Sequence, residues 1–229
     1  MANILGLIPA RGGSKGIPNK NIVDINGRPL ISYTIEAALT CHTLEKIIVS
    51  TDNQEISQIA KSNGAEVPFM RPNELSTDTS TALDVFKHAI EFYANKDIHF
   101  DFIVYLQPTS PLRTSEDIDN AVNIMIQSNA DTLVSVMDVP HQFGIDSQMY
   151  EEDGLVYPVK KTTPLTRQKK RSLLARNGPA ILITKPETIK NYDSIYGHKT
   201  AFYKMSAKNS VDIDNLDDLE YVSWLLKPE

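Results

Sequence analysis

Residues Gly6 to Asn21 read GLIPARGGSKGIPNKN: an apolar run gives way to two adjacent glycines, an arginine and two lysines. The apolar half, extended back to NILGLIPA, is short, continuous and ended by proline, the pattern of a buried strand. If that strand belongs to an open α/β sheet, the loop from Ala10 to Lys20 leaves it at the carboxyl edge, where ligands of such sheets sit. Gly12, Gly13 and Gly16 let the backbone approach a ligand closely and turn its amides inward. Arg11, Lys15 and Lys20 add positive charge and Ser14 adds a hydroxyl donor. Together they suit a polyphosphate. A solvated glycine-rich turn is the plain alternative, and the loop matches neither GxxxxGK[ST] nor GxGxxG.

Working outward, strands and helices alternate. RPLISYTIEAALT reads as a helix with Pro29 in its first turn, EKIIVSTD as a strand, and NQEISQIAKSNG as a helix stopped by Gly64. AEVPFM is a weaker third strand. STALDVFKHAIEFYANK is a helix headed by Asp78, Thr79 and Ser80 as capping residues. DFIVYLQ is a strand apolar enough for burial on both faces. SEDIDNAVNIMIQS is a helix capped by Thr114 or Ser115, and TLVSVMDV a fifth strand. This rhythm predicts an α/β fold, doubly wound, with a mostly parallel sheet flanked by helices. It breaks after Val139. Residues 140–178 carry turn signals, a hairpin around EEDGLVYPV and the basic cluster RQKKR, and read as an inserted arm in a single domain spanning 1–229. PAILITK, PETIKNY, TAFYKM and NLDDLEYVSWLL close the chain as strand, helix, strand and helix.

Composition bounds the function. The 229 residues are 41% hydrophobic and 23% charged, with a net charge of −6. That balance excludes a general nucleic-acid binder, which needs a basic surface. Cys41 is the single cysteine, so no internal disulfide or cysteine metal site forms. The sequence has no apolar run of membrane-spanning length and no signal peptide, and a cytoplasmic protein is expected. VDID places Asp212 and Asp214 near the end. If that run is extended, both carboxylates share one face and suit Mg²⁺, a hard cation with oxygen ligands. The alternative is that Asp214 caps the last helix.

Five blocks, IPARGGSKGIPNKN, RPNELSTDTS, LQPTSPLR, RNGPAILIT and SVDIDNLDDLE, occur in an order that resembles the CMP-sialic acid synthetases, cytidylyltransferases that activate nine-carbon sugar acids. The resemblance spans nearly the whole chain. It implies a nucleotidyltransferase fold of Rossmann-like type and transfer of CMP from CTP to the anomeric hydroxyl of a sugar acid, with release of pyrophosphate. It further implies that Arg11, Ser14, Lys15 and Lys20 cradle the triphosphate, that Asn21 and Arg71 reach the nucleotide, and that Gln107 meets the substrate. The family often has a serine where Ala82 stands, so Ser80 or Thr81 substitutes. Arg167 and Arg176 match two arginines that hold the sugar-acid carboxylate, with Arg171 a rival. The arm implies a homodimer. PHQF and ARNGPAI look closer to the branch that activates legionaminic acid, and His141 is a candidate general base. Activators of eight-carbon acids or pseudaminate, a metal-dependent glycosyltransferase and a non-catalytic nucleotide binder remain as rivals.

Overall fold

The computed structural model describes residues 2–14, 16–160 and 172–227; Lys15, Arg167 and Arg171 lie outside them. In chain order the elements are β1 (Ile4–Pro9), β2 (Asp24–Ile25), β3 (Arg28–Pro29), α1 (Leu30–Thr40), β4 (Lys46–Ser50), α2 (Gln54–Ser62), α3 (Ala82–Ala94), β5 (Phe102–Tyr105), α4 (Ser115–Gln127), β6 (Thr132–Asp138), β7 (Met149–Glu152), β8 (Leu155–Pro158), β9 (Leu174–Arg176), β10 (Leu182–Thr184), α5 (Pro186–Tyr192), β11 (Thr200–Lys204) and α6 (Leu216–Leu225).

The main sheet runs β11-β6-β10-β5-β1-β4, with β9 paired to the end of β6. β1 is parallel to β4 (Leu7 beside Ile48) and to β5 (Gly6 beside Val104). β11 is parallel to β6, whereas β10 is antiparallel to both β5 and β6. The sheet is therefore mixed and mostly parallel at its site-bearing half. Alternation along β1 builds two cores. Ile4 and Ile8 pack with Ile31, Ile35, Ile56 and Ile118 from α1, α2 and α4. Leu5 and Leu7 pack with Val85, Phe86 and Ile189 from α3 and α5. Side chains two apart in a strand share a face, so one strand feeds both layers. Phe86 also stacks on Tyr105, with ring centroids 5.0 Å apart.

The helices start where the capping chemistry dictates. The hydroxyl of Thr114 accepts from the Asp117 amide at 3.1 Å, and the Asp117 carboxylate accepts from the Thr114 amide at 2.9 Å. Thr81 and Asp84 form the same reciprocal pair at the start of α3. That box satisfies two otherwise orphaned donors, so Thr81 caps α3 and not the residues 78–80 expected from sequence. Pro29 caps α1 from outside its first turn.

One other expectation fails. AEVPFM makes only two isolated bridges, Ile48 with Glu66 and Thr51 with Met70; Pro68 lacks the amide a ladder needs. The VDID run is irregular, not a strand. The hairpin expected at 151–159 forms as β7–β8, a separate two-stranded sheet whose eight residues are all exposed. Among the described residues no helix is long and apolar enough to cross a membrane.

Phe86 is 0% exposed and Phe202 54%. Phe86→Ala is expected to cost about 3–5 kcal/mol and Phe202→Ala about 0.5 kcal/mol or less, measured as midpoint shifts in denaturant unfolding.

Candidate functional site

The loop leaving β1 is held at several points. The Gly12 amide donates to Asp52 Oδ1 at 2.9 Å, and Asn21 Nδ2 donates to the Arg11 carbonyl at 2.9 Å. Ile17 is buried in a small apolar cluster with Leu30, Leu112, Ile213 and Val222. Lys20 Nζ donates to the Ile213 carbonyl at 2.8 Å, and the Ile213 amide donates to the Thr109 carbonyl at 2.8 Å. The glycine-rich loop, the PTSPLR loop after β5 and the VDID segment are thereby fixed to one another.

These loops wall a cavity of about 390 Å³ beyond the carboxyl ends of β1, β4 and β5. Arg11, Ser14, Lys20, Asn21, Arg71, Ser80, Gln107, Asp212 and Asp214 all line it. Nine residues named from the sequence thus converge, Arg11 and Asp214 from 203 positions apart.

Their environments differ. The Arg11 guanidinium donates to the Thr77 carbonyl at 2.7 Å and pairs with Asp78 at 3.0 Å, which ties the first loop to the 77–81 turn. Ser80 braces that turn: its oxygen accepts from the Thr77 amide at 3.0 Å and its hydroxyl donates to the Glu74 carbonyl at 3.2 Å. Arg71 is buried. Its Nε donates to Ser50 Oγ at 3.0 Å and its Nη2 to the Ser50 carbonyl. Burial pushes its pKa down, opposed by the Asp52 carboxylate. The phenol of Tyr105 is pushed up to about 12 by burial, so it stays a neutral hydroxyl at the cavity wall. Gln107 is fixed through its backbone, its carbonyl accepting from Arg113 Nη1 at 3.2 Å.

Asp212 Oδ1 accepts from Ser110 Oγ at 3.1 Å. Asp214, with its side chain 79% exposed, lies 3.5 Å from Lys20 Nζ. Asp214 does not cap α6; Asn215 does, its side chain accepting from the Asp218 amide at 3.0 Å. No group of three or more His, Cys, Asp or Glu side chains that could cage a metal gathers among the described residues. Two carboxylates beside a basic loop still fit Mg²⁺, which keeps several waters and takes its remaining ligands from phosphate oxygens.

Two named residues stand elsewhere. Arg176 lines a separate pocket of about 40 Å³ with Val134, Gly178 and Tyr196, hydrogen-bonding the Tyr196 hydroxyl with its guanidinium carbon 5.3 Å from that ring's centroid. It sits on β9, paired with Val136 of β6, and is not among the residues that line the larger cavity. His141 is exposed in a 3₁₀ turn and does not line the cavity.

Sequence reasoning missed Asp52, Tyr105, Ser110 and Arg113. Asp52 had a signal: it follows β4, the strand beside β1, at the same sheet edge. Arg113 had none beyond its place in LQPTSPLR. It is buried, donating to the Ala180 carbonyl at 2.6 Å and Thr34 Oγ1 at 2.7 Å. Burial pushes its pKa down to about 10, which leaves it a cation at neutral pH.

The cytidylyltransferase family model matches residues 5–225. The chain is 34% identical to the CMP-N,N'-diacetyllegionaminic acid synthase of Legionella pneumophila, over 98% of this chain and 96% of that protein. It is 30% identical to the pseudaminic acid cytidylyltransferase of Campylobacter jejuni, over 97% and 96%. It is 34% identical to the N-acylneuraminate cytidylyltransferase of Streptococcus agalactiae, over 94% of this chain but 51% of that protein, so the chain spans about half its length. The fold is similar to that of a CMP:2-keto-3-deoxy-manno-octonic acid synthetase solved with CTP, with a TM-score of 0.76 at 18% identity over 98% of both chains. It is also similar to the 4-diphosphocytidyl-2C-methyl-D-erythritol synthase of Anaerococcus prevotii, with a TM-score of 0.67 at 12% identity over 99% of both.

The loop geometry discriminates between two glycines. A Cβ on Gly16 would lie 2.8 Å from the Asp214 carbonyl oxygen, whereas one on Gly13 meets nothing within 4 Å. Gly16→Ala is expected to weaken binding of inorganic tripolyphosphate roughly tenfold or more, since small displacements of a positioned site are costly. Gly13→Ala should leave it nearly unchanged; calorimetric titration of both variants measures the difference.

Proposed function

The chain belongs to the cytidylyltransferase family, and from that premise we propose that it transfers CMP from CTP to the anomeric hydroxyl of a nine-carbon 2-keto-3-deoxy sugar acid of the legionaminate or N-acylneuraminate type. The observation that carries the reading is the cavity that gathers Arg11, Lys20 and Arg71 with Asp212 and Asp214. The anomeric oxygen attacks the α-phosphorus, the bond from that phosphorus to the bridging oxygen breaks, pyrophosphate leaves, and the hydroxyl proton passes to solvent. Such a reaction asks the protein for positioning and charge neutralisation, not covalent chemistry.

Arg11, Ser14 and Lys20, joined by Lys15, bind the triphosphate and neutralise the leaving pyrophosphate. Arg71 is a fixed cation held by Ser50, so it orients without reorganising. Asn21 braces the loop through the Arg11 carbonyl, and Ser80 braces the opposite wall. Gln107 stands where the sugar acid approaches. Asp212 and Asp214 would hold Mg²⁺, which would supply charge neutralisation at the triphosphate and acidify the attacking hydroxyl. Arg176 and Arg167 take the sugar-acid carboxylate in the two-pronged geometry arginine favours. Arg176 does not line the cavity of its own chain, which supports a reading in which it serves a second copy's site in a homodimer. The exposed β7–β8 hairpin, with Met149, Leu155 and Val156 facing solvent, is the surface a second copy would cover. Family membership sets the glycosyltransferase and non-catalytic readings aside. The pseudaminate reading stays as the second choice, because a relative at 30% identity bears that name.

The test is pyrophosphate release from CTP with legionaminic, N-acetylneuraminic, pseudaminic and eight-carbon acids. Turnover is expected with one of the first two, and Arg11→Ala should lower it by about 10²–10³ with the fold intact. Turnover with the eight-carbon acid alone, or an unaffected Arg11→Ala variant, would overturn the assignment.

A further inference from the structure

We infer that Ser110 is a positioning residue for the Asp212 carboxylate, fixing which of its oxygens a metal–nucleotide complex meets. The inference rests on the proposed role of Asp212 as a metal-bearing carboxylate. Asp212 sits on an irregular segment whose backbone is anchored by Ile213, not by a ladder. Nothing in that anchoring sets its side-chain rotamer. Ser110 does so. It is 0% exposed, and among the described residues the one hydrogen bond of its hydroxyl runs to Asp212 Oδ1, at 3.1 Å.

Gly178 stands against the second oxygen, and a Cβ there would lie 3.1 Å from Oδ2. Gly178 also has φ +67°, a conformation glycine adopts freely. One oxygen is therefore tied to the PTSPLR loop, and the other faces a residue with no side chain. Groups behind a metal ligand that fix its orientation commonly change metal affinity by 10–100-fold when removed.

The hydroxyl is separable from the turn that carries it. The turn is held by backbone bonds: the Ser110 amide to the Gln107 carbonyl at 3.5 Å, and the Arg113 amide to the Ser110 carbonyl at 3.3 Å. Ser110→Ala keeps both and removes only the bond to Asp212. Ser110→Cys keeps the shape with a poor donor.

The experiment is calorimetric titration of CTP into folded protein, once with excess Mg²⁺ and once with EDTA, for wild type, Ser110→Ala, Ser110→Cys and Asp212→Asn. Ser110→Ala is expected to lose about tenfold of the Mg²⁺-dependent gain in CTP affinity, with metal-free binding and the melting midpoint unchanged. Ser110→Cys should shift in the same direction, and Asp212→Asn should lose the gain. If both serine variants keep the gain while Asp212→Asn loses it, the inference is overturned and the role of Asp212 stands. Equal losses with and without Mg²⁺ would make Ser110 a loop residue and overturn it as well. If Asp212→Asn keeps the gain, the underlying role of Asp212 falls, and the inference with it.

Discussion

Lys20 Nζ donates to the carbonyl of Ile213, and the Ile213 amide donates to the carbonyl of Thr109, both at 2.8 Å. Through that one residue the first loop, the loop after β5 and the late acidic segment share a single anchor, although Lys20 and Ile213 are 193 positions apart. The apolar cluster around Ile213 supplies most of the hold. Burying Ile17, Leu112 and Ile213 contributes about 1.5–3 kcal/mol each, whereas a hydrogen bond from a charged donor nets roughly 1.5–3 kcal/mol. Packing thus brings the loops together, and the two hydrogen bonds set their register. The cavity exists because both agree.

Within the cavity the cations already have partners. Arg11 is tied to Asp78 and Thr77, and Lys20 stands near Asp214. The Arg11–Asp78 pair is partly exposed, at 31% and 48%, so it is worth about 0–1 kcal/mol. Charge-assisted hydrogen bonds to phosphate are roughly twice as strong as neutral ones. On the proposed function, a triphosphate would take Arg11 from Asp78 at little cost. Arg71 behaves differently: buried and bonded to Ser50, it is part of the frame.

Much of this was legible in the sequence because it depends on local patterns. β1, the glycine-rich bend, the helical spacings and the Thr114 cap are written in neighbouring residues, and nine site residues could be named from blocks of motif. What failed depends on partners the sequence does not display. Pro68 removes the amide that would have made AEVPFM a strand. The antiparallel entry of β10 between β5 and β6 is a matter of topology, invisible to strand spacing. VDID is extended by composition yet irregular in place, because Ile213 bonds to a loop and not to a neighbouring strand. Arg113 looks like a surface cation until its burial and the carbonyls its Nη1 donates to are seen. Asn26-Gly27, with φ +53° and +82°, announces the β2–β3 hairpin by its turn chemistry. The motif names Arg176 for the substrate carboxylate, and the fold sets it in a smaller pocket beside Tyr196, a neighbour the motif does not display.

The most direct measurement is a crystal structure of the chain with CTP and Mg²⁺. The account predicts the triphosphate lying along the bend from Arg11 to Lys20, with its α-phosphate turned toward Asp212 and the Arg11 guanidinium moved from Asp78 onto phosphate. A nucleotide bound elsewhere, with the bend empty and the two aspartates facing away from it, would contradict the account.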